Sequence, residues 1–432
     1  MRCAPFTVDL TPPPGFPLAY GFNTRADGPI HLRGVVLEDG ARRTVLAAAE
    51  VIGFYGGAYG LWRRALASAT GTPVGRVLLH AVHQHDSLLP LSPRAVELLH
   101  GKPGAEPGEG AAWRALLART AGAIRAQIAP RRAWRTVARV GTAERRLTGL
   151  AGNRRMLDAD GKVFAMRWSM TPRRDLKRLP VGNIDPLLRS VGLFDARGEL
   201  LASLHFYASH PMAAYGRQRA CADVPGVALA ALRRAQQERG THLYFTGCAA
   251  DVTFGKYTTP DLGANLRVLG GRLGAGLCAN VAALRPEVAP RLSWRRRRFA
   301  LTLAARLKAA TLRAEIAAAP TRHDATWKAV TLEAVEDWRR LRRAEALRLT
   351  LAPGIHVISL PSEIPVEFQQ FAQAQAPEHY VACAAYADMN YQYLSPPHFF
   401  REGGYEPSAN VATGQGGEAC LTAIAALLAD LS

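Results

Sequence analysis

Short apolar runs alternate with amphipathic stretches along the whole chain, and turns that contain glycine or proline separate them. Apolar runs of strand length predict strands, whereas apolar positions three and four residues apart predict helices. Strands are predicted over residues 30–37, 44–52, 76–82, 200–208, 242–246, 294–303 and 354–360. Helices are predicted over residues 58–69, 111–129, 227–239, 263–284, 309–318, 330–348, from about 366, and 417–431. We see no repeat or linker and predict one α/β catalytic domain over residues 1–432, with mixed β-sheets flanked by helices.

The chain is strongly basic, and the excess charge lies in its middle. It contains 54 Lys and Arg against 35 Asp and Glu, a formal net charge of +19, with the excess in residues 101–300. Such a balance raises the question of a nucleic-acid partner. The densest arginine run lies between Trp294 and Phe299 on a predicted strand, where alternate side chains point to opposite faces. We therefore expect a solvated edge strand and no nucleic-acid partner.

The sequence indicates neither a membrane span nor a secretion signal. No charge-free apolar stretch reaches the length that a bilayer requires, and the N-terminus lacks an apolar signal core. Six cysteines occur singly, which is typical of thiols in a reducing compartment, so we expect a cytoplasmic protein. The predicted helix around residues 338–343 is amphipathic and basic. It could contact an anionic membrane peripherally, and a plain solvated face is the simpler alternative.

Three segments that carry histidine or carboxylate follow predicted strands. His83 and His85 come at the end of one strand, His210 follows a second, and Glu363 follows a third. Residues two apart on a strand share a face, so His83 and His85 could point into one pocket, with His80 on the opposite face in the core. Ligand sites in α/β sheets form beyond the carboxyl ends of the strands. Two histidines and a glutamate suit a catalytic zinc, but from the residues alone a structural interpretation is equally good.

Short motifs in a fixed order extend this pattern over nearly the whole chain. They comprise Val8-Asp9-Leu10-Thr11-Pro12-Pro13, His83-Gln84-His85, residues 207–211, 222–226 and 247–253, Leu360-Pro361-Ser362-Glu363, residues 388–396, and Tyr405-Glu406. The series resembles the neutral/alkaline (non-lysosomal) ceramidase family, whose motifs include D-I-T-P, T-H-T-H-S-G-P, G-D-V-S and P-G-E. The resemblance implies the fold of that family's N-terminal catalytic domain, without the extra C-terminal β-domain or the secretion signal of its larger members.

The resemblance also implies an activity and a set of site residues. Its four implied zinc ligands are His83, His210, Glu363 and Tyr393. His85 would support the ligands or handle protons, and Tyr405 and Arg154 would contact the substrate carbonyl and the oxyanion. The implied reaction is hydrolysis of an N-acyl amide, either a ceramide-like N-acyl sphingoid base or another lipid-like or small-molecule amide. Zinc would lower the pKa of its bound water toward ~7, and a nearby histidine would protonate the departing amine.

Several residues have close competitors for these roles. Tyr391 is the alternative to Tyr393, and Arg155 is the alternative to Arg154. Asp251 is interpreted equally well as a catalytic residue or as a cap on a helix or turn.

Departures from the family's motifs leave the substrate open. Asp86 and Thr253 stand where the family has serines, and Asp86 could either orient His85 or narrow the mouth of the site. A zinc hydrolase of a different amide or ester is one alternative function. A non-catalytic basic binding protein on a hydrolase scaffold is another. The sequence does not indicate an oligomeric state.

Overall fold

Residues 1–431 form the seven strands that the apolar pattern predicts and twelve further strands that it does not predict. A computed structural model describes residues 1–431. The strands are β1 (Arg2–Asp9), β2 (Pro17–Leu18), β3 (Gly21–Phe22), β4 (His31–Asp39), β5 (Arg42–Ala49), β6 (Val77–Ala81), β7 (Arg135–Thr136), β8 (Arg139–Arg146), β9 (Gly152–Asn153), β10 (Arg155–Leu157), β11 (Val163–Met166), β12 (Leu187–Phe194), β13 (Leu200–Tyr207), β14 (Thr241–Thr246), β15 (Val252–Thr253), β16 (Ser293–Ala300), β17 (Arg343–Ala352), β18 (Ile355–Ser359) and β19 (Tyr380–Ala384). The helices are α1 (Gly57–Thr70), α2 (Pro93–Leu99), α3 (Glu109–Ile128), α4 (Arg174–Arg178), α5 (Asp223–Ala235), α6 (Leu262–Ala283), α7 (Ala309–Ala318), α8 (Arg322–Glu336), α9 (Trp338–Leu341), α10 (Val366–Ala374), α11 (Pro397–Glu402), α12 (Tyr405–Ala409) and α13 (Gln415–Leu428).

Three mixed sheets form the framework of the molecule. Their strand orders are β6-β5-β4-β1-β7, β14-β13-β12-β8 and β16-β17-β18-β19. Each sheet contains one parallel pair, β5–β6, β13–β14 and β18–β19, and its other neighbouring strands are antiparallel. This arrangement confirms the predicted α/β class with mixed sheets and flanking helices.

The first sheet separates two apolar cores. On one face, Phe6 and Val36 belong to the core that also contains buried residues of α1 and α3. On the other face, Val35 and Leu37 belong to the core shared with the β12–β14 region. Alternate residues of a strand point to opposite faces, which explains why β4 is apolar at consecutive positions. Gly34 pairs with Phe6 across β1 and β4, and the Phe6 ring occupies the space that a side chain there would need.

The three sheets meet where β6, β14 and β19 end. His80 of β6 is fully buried, with Nδ1 2.6 Å from the carbonyl oxygen of Ala385, and its Nε2 accepts a hydrogen bond from the backbone N–H of Thr246 at 3.0 Å. The Thr246 hydroxyl donates to the carbonyl of Val82 at 2.7 Å. His80 is therefore the core histidine that the sequence predicts, and it fixes the strand ends from which the candidate site residues emerge.

The predicted helix over residues 330–348 is correct only in its first part and wrong from Arg343 onward. The structure ends α8 at Glu336, follows it with the four-residue helix α9, and begins strand β17 at Arg343. Arg, Ala and Leu favour helices locally, but β17 is paired on both sides, with β16 and β18, and this pairing outweighs local propensity. The long basic amphipathic helix expected around residues 338–343 is thus absent, and contact with an anionic membrane remains an untested prediction.

The arginine-rich segment is an edge strand, as predicted. Strand β16 lies at the margin of its sheet, and Arg295 to Arg298 are exposed. Arg296 and Arg298 form ion pairs with Glu345 of the adjacent strand, and Arg295 pairs with Asp430. Part of the basic charge is therefore neutralised locally.

The cysteines and the lengths of the helices bear on the expectations of free thiols and of no membrane span. All six cysteines are free, which agrees with the single spacing in the sequence. Among the helices formed by residues 1–431, none combines the length and apolar character needed to cross a bilayer.

Candidate metal centre

The side chains that follow three different strands converge at one buried point. His83 follows β6, His210 follows β13 and Glu363 follows β18. The Nε2 atoms of the two histidines lie 2.9 Å apart. Oε2 of Glu363 lies 3.5 Å from Nε2 of His83 and 3.4 Å from Nε2 of His210. One strand of each parallel pair thus supplies one of these groups, as expected for a site beyond the carboxyl ends of the strands.

Backbone carbonyls fix the tautomers of both histidines. Nδ1 of His83 contacts the carbonyl oxygen of Ile52, and Nδ1 of His210 lies 3.1 Å from that of Ala249. A carbonyl only accepts, so in the neutral rings each Nδ1 carries the proton and each Nε2 presents a lone pair. Oε2 of Glu363 has no hydrogen-bond partner in the described chain. Three electron-pair donors thus face one another, an arrangement that a shared cation would stabilise, so these residues fit a metal ion.

The ligand-bearing loops have unusual backbone conformations. His83 (φ 74°), Ser362 (φ 62°) before Glu363, and Gln392 (φ 53°) before Tyr393 all lie in the left-handed region. Such conformations in residues other than glycine cost about 1–3 kcal/mol each and are concentrated at functional sites. They also correct one expectation, because β6 ends at Ala81 and the His-x-His segment is a loop rather than the face of a strand.

His85 completes a cluster of three buried histidines. Ring nitrogens of His83, His85 and His210 lie within 4.8 Å of one another, so the cluster could hold a metal ion. The His85 ring stacks on Tyr20 with 5.5 Å between ring centroids, and neither of its nitrogens has a hydrogen-bond partner among residues 1–431. Burial, together with the nearby His83, lowers the pKa of both His85 and His210 well below the ordinary histidine value. Both rings are therefore neutral.

Asp86 has neither of the two roles considered from the sequence: it does not orient His85, and it does not narrow the mouth of the site. Its carboxylate accepts hydrogen bonds from the backbone N–H groups of Gly216 at 2.7 Å and Arg217 at 3.2 Å, and Arg217 also donates from its guanidinium at 3.3 Å. Asp86 thus anchors the loop after His210, and it is not among the residues that line the cavity of the site.

Tyr393 is the tyrosine that reaches the centre. It forms an isolated parallel bridge with Glu363, and its hydroxyl accepts a hydrogen bond from Nη2 of Arg154 at 3.2 Å. Burial and the charge of Glu363 raise the pKa of Tyr393 well above the ordinary value. The Tyr405 ring lies 5.4 Å from that of Tyr393, on the cavity wall.

Arg154 contacts the Tyr393 hydroxyl, and both Arg154 and Arg155 pair with Glu406. Arg154 is fully buried, donates to Glu406 from Nε at 2.8 Å, and is not among the cavity-lining residues. It contacts Tyr393 rather than the space where a substrate carbonyl would lie. Arg155 donates to the same glutamate at 2.6 Å and to Glu402 at 2.8 Å.

Tyr391 and Asp251, the two remaining alternatives, form hydrogen bonds with the surrounding fold. The Tyr391 hydroxyl donates to the carbonyl of Leu341 at 2.9 Å, away from the centre. Asp251 accepts from the backbone N–H of Val366, the first residue of α10, at 2.9 Å and from Asn153 at 2.8 Å. Burial raises the pKa of Asp251 to about 6. These contacts favour the capping interpretation of Asp251.

A cavity of 490 Å³ opens onto the centre. His83, His85, Glu363, Tyr393 and Tyr405 line it. Several other lining residues were not predicted from the sequence, since they come from α7, α8 and distant loops: Tyr20, Tyr55, Arg306, Leu312, Trp327 and Lys328. No spacing rule joins these positions to the His-x-His segment. Glu406 belongs to the Tyr405-Glu406 motif, but no local pattern predicts its pairing with Arg154.

Comparison with known proteins relates the fold of the chain to solved structures. No protein-family model and no curated protein sequence matches the chain. Two solved structures resemble it: one described as ceramidase complexed with C2, with a TM-score of 0.71, 14% identity, and coverage of 100% of this chain and 75% of the other, and neutral ceramidase from Pseudomonas aeruginosa, with a TM-score of 0.68, 15% identity, and coverage of 99% and 74%. The likeness that the motifs predict is confirmed at the level of the fold: the chain is folded as these ceramidases are.

Proposed function

We propose that the protein is a zinc-dependent hydrolase that cleaves an N-acyl amide bond. The observation that carries this proposal is the convergence of Nε2 of His83, Nε2 of His210 and Oε2 of Glu363, with both Nδ1 atoms facing backbone carbonyls. The shared fold with ceramidases supports the choice of an amide as the scissile bond.

The donor set suits zinc better than magnesium or calcium. Two imidazole nitrogens and one carboxylate are ligands that zinc prefers, whereas the two hard cations prefer oxygen only. We assign His83, His210 and Glu363 as ligands, with the Tyr393 phenol beside them. When bound, zinc supplies Lewis acidity and an activated water at neutral pH.

Protein groups around the ion account for binding and proton transfer. Tyr405 is partly exposed on the cavity wall, so its hydroxyl is available to donate to the oxygen of the scissile carbonyl as charge develops there. Neither ring nitrogen of His85 has a hydrogen-bond partner in the described chain, so its lone-pair nitrogen is free to accept the proton that the attacking water loses and to pass it to the departing amine nitrogen. Arg154 acts as a positioning residue that holds Tyr393 through its hydroxyl.

Release of a carboxylic acid from a panel of N-acyl amides tests the proposal. The panel contains N-acyl sphingoid bases and simpler N-acyl amines, with the matching esters alongside. We expect amide hydrolysis that a chelator abolishes and zinc restores. If only esters were hydrolysed, the proposed substrate would change from an amide to an ester. If the zinc-loaded protein hydrolysed none of these compounds, the proposal would be contradicted.

The matched variants are Glu363→Gln and Glu367→Gln. Glu363 lies at the centre, whereas Glu367 lies on α10 near His398, 3.2 Å away, and lines a different cavity. Only the first substitution should abolish turnover. Equal losses in both variants would indicate that folding, not the site, is affected.

A further inference from the structure

Two basic side chains line the cavity above the candidate metal centre. Lys328 and Arg306 share this cavity with His83, His85 and Glu363. Glu363 is the only carboxylate among the described residues that line it. Since the proposed function assigns Glu363 to the metal, the cavity has no carboxylate left to neutralise the two basic groups.

Lys328 is held against the cavity by the helix that carries it. Trp327, Lys328 and Thr331 of α8 all line the cavity. The Trp327 ring packs edge-on against Tyr55 with 5.3 Å between centroids, and the Thr331 hydroxyl accepts a hydrogen bond from Gln392 at 2.6 Å. These contacts on either side of Lys328 fix which part of the helix surface faces the cavity.

The Lys328 ammonium has no counter-ion in the described chain. The side chain is half-buried, and no carboxylate of residues 1–431 lies within ion-pair distance of it. A partly desolvated ammonium without a partner attracts an anion more strongly than one in open water, because less water screens it. Charge-assisted hydrogen bonds to such a ligand are roughly twice as strong as neutral ones.

Arg306 is fixed at the same cavity by backbone carbonyls. Its Nη2 donates to the carbonyl of Ser408 at 2.5 Å and to that of Asn410. Both of these residues also line the cavity. The guanidinium is thus held without a carboxylate, so its positive charge is retained where a substrate would lie.

We propose that the substrate is an anionic N-acyl amide, one that carries a carboxylate or a similar acidic group within reach of Lys328. This inference rests on the proposed function and names its substrate class. A neutral N-acyl sphingoid base has no group to neutralise Lys328 and Arg306, whereas an N-acyl amino acid has one. The anion would lie against α8 while the amide lies over His83 and Glu363.

A charge-matched panel tests the proposal by kinetics. N-octanoylglycine carries the anion on the amine part, the mono-octylamide of succinic acid carries it on the acyl part, and N-octanoylethanolamine is neutral. We expect kcat/KM for at least one anionic amide to exceed that of the neutral one by about tenfold or more, the ratio that corresponds to one charge-assisted hydrogen bond. Equal values across the panel would overturn the proposal while leaving the proposed hydrolase function in place.

Variants of Lys328 identify the source of the preference. Lys328→Gln should reduce the ratio of anionic to neutral kcat/KM to near unity, and Lys328→Glu should reverse it in favour of N-octanoylethylenediamine, a cationic amide. Lys308→Gln is the matched control, since Lys308 is exposed and does not line the cavity. A preference that survives Lys328→Gln would overturn the assignment.

Equilibrium binding separates this inference from the failure of the hydrolase proposal. Calorimetry with N-octanoylglycine is carried out on the wild type, Lys328→Gln and Lys308→Gln. Should no amide be hydrolysed, binding that Lys328→Gln weakens about tenfold would still uphold the anion site. Binding that is absent, or equal in all three proteins, would contradict it.

Discussion

At the scale of single residues, the candidate ligands are oriented by hydrogen bonds to groups that lie outside the candidate centre. Backbone carbonyls of Ile52 and Ala249 set the tautomers of the two histidines, so that both Nε2 atoms face Glu363. Outer contacts of this kind orient metal ligands and tune their basicity. Tyr393 is held in the same way by the Arg154 guanidinium.

The two tyrosines of the 391–393 segment provide a matched test of this organisation. Tyr393→Phe removes the hydroxyl beside Glu363, and we expect zinc affinity or kcat to fall about tenfold or more. Tyr391→Phe removes a buried hydrogen bond to Leu341, and we expect a loss of about 1 kcal/mol in the free energy of unfolding with zinc binding intact. Zinc titration and urea unfolding measure the two effects. The reverse outcome would show that Tyr391 is the relevant tyrosine.

Glu406 is the residue that neutralises both buried arginines. Glu406→Ala would leave Arg154 without its carboxylate and Arg155 with Glu402 alone, so we expect a loss of about 3–5 kcal/mol in the free energy of unfolding. Glu402→Ala removes a less buried partner and should cost about 1 kcal/mol or less. Urea unfolding at pH 7 compares the two variants. Similar losses would show that the buried pairs do not stabilise this region.

At the scale of secondary-structure elements, one strand from the parallel pair of each sheet leads into a candidate metal ligand. The apolar pattern predicts the three ligand-bearing strands β6, β13 and β18, because strands buried on both faces are apolar at consecutive positions. It does not predict the sheet strands β1, β8, β12, β17 and β19. Pairing between distant segments does not follow from that pattern. Strand pairing makes residues 343–348 part of β17 instead of the predicted helix, and the tertiary fold places Lys328 and Arg306 on the cavity that His83 also lines.

Within the site too, some features could not be predicted from the sequence because they depend on tertiary structure. The motifs single out His83, His210, Glu363 and Tyr393, and the structure brings these residues together. The strand pattern predicts a regular strand through the His-x-His segment, whereas His83 adopts a left-handed backbone conformation. The role of Asp86 depended on a loop about 130 residues away, which no local pattern encodes.

The pairing of β1 and β4 gives a test at this scale. Gly34→Ala would place a methyl group against the Phe6 ring, and overpacking of this kind costs about 1–3 kcal/mol. Gly122→Ala in α3 is the matched control, since no atom lies near the added methyl and alanine favours a helix by about 0.5–1 kcal/mol. Thermal unfolding should show opposite shifts. A neutral Gly34→Ala would contradict the packing described here.

At the scale of the whole molecule, buried neutral histidines make the stability depend on pH. Burial lowers the pKa of His80 to about 3 and the pKa values of His242 and His356 to about 4. In the unfolded chain these three histidines become protonated near pH 6.5. In the folded chain they become protonated only when the pH falls to their lowered pKa values. Stability is therefore lost as pH falls through this window.

His242→Gln tests this pH dependence away from the metal centre. His242 is buried, with Nδ1 2.7 Å from the Ser203 hydroxyl. Between pH 7 and pH 5, the wild type should lose about 2 kcal/mol more in the free energy of unfolding than the variant does, because only the wild type carries this proton penalty. Urea unfolding at both pH values measures the difference. Equal losses in the two proteins would show that His242 is not held neutral.

The most direct test of the account is the zinc content of the purified, zinc-equilibrated protein. For the wild type we predict a single tightly bound ion per chain, measured by elemental analysis after removal of free metal. His210→Ala and Glu363→Gln should bind little or none, and zinc should raise the melting temperature of the wild type but not of these two variants. His398→Ala, at a partly exposed histidine outside the cluster, should retain its zinc. A wild-type protein that binds no zinc, or variants that bind as much as the wild type, would contradict the metal centre proposed here.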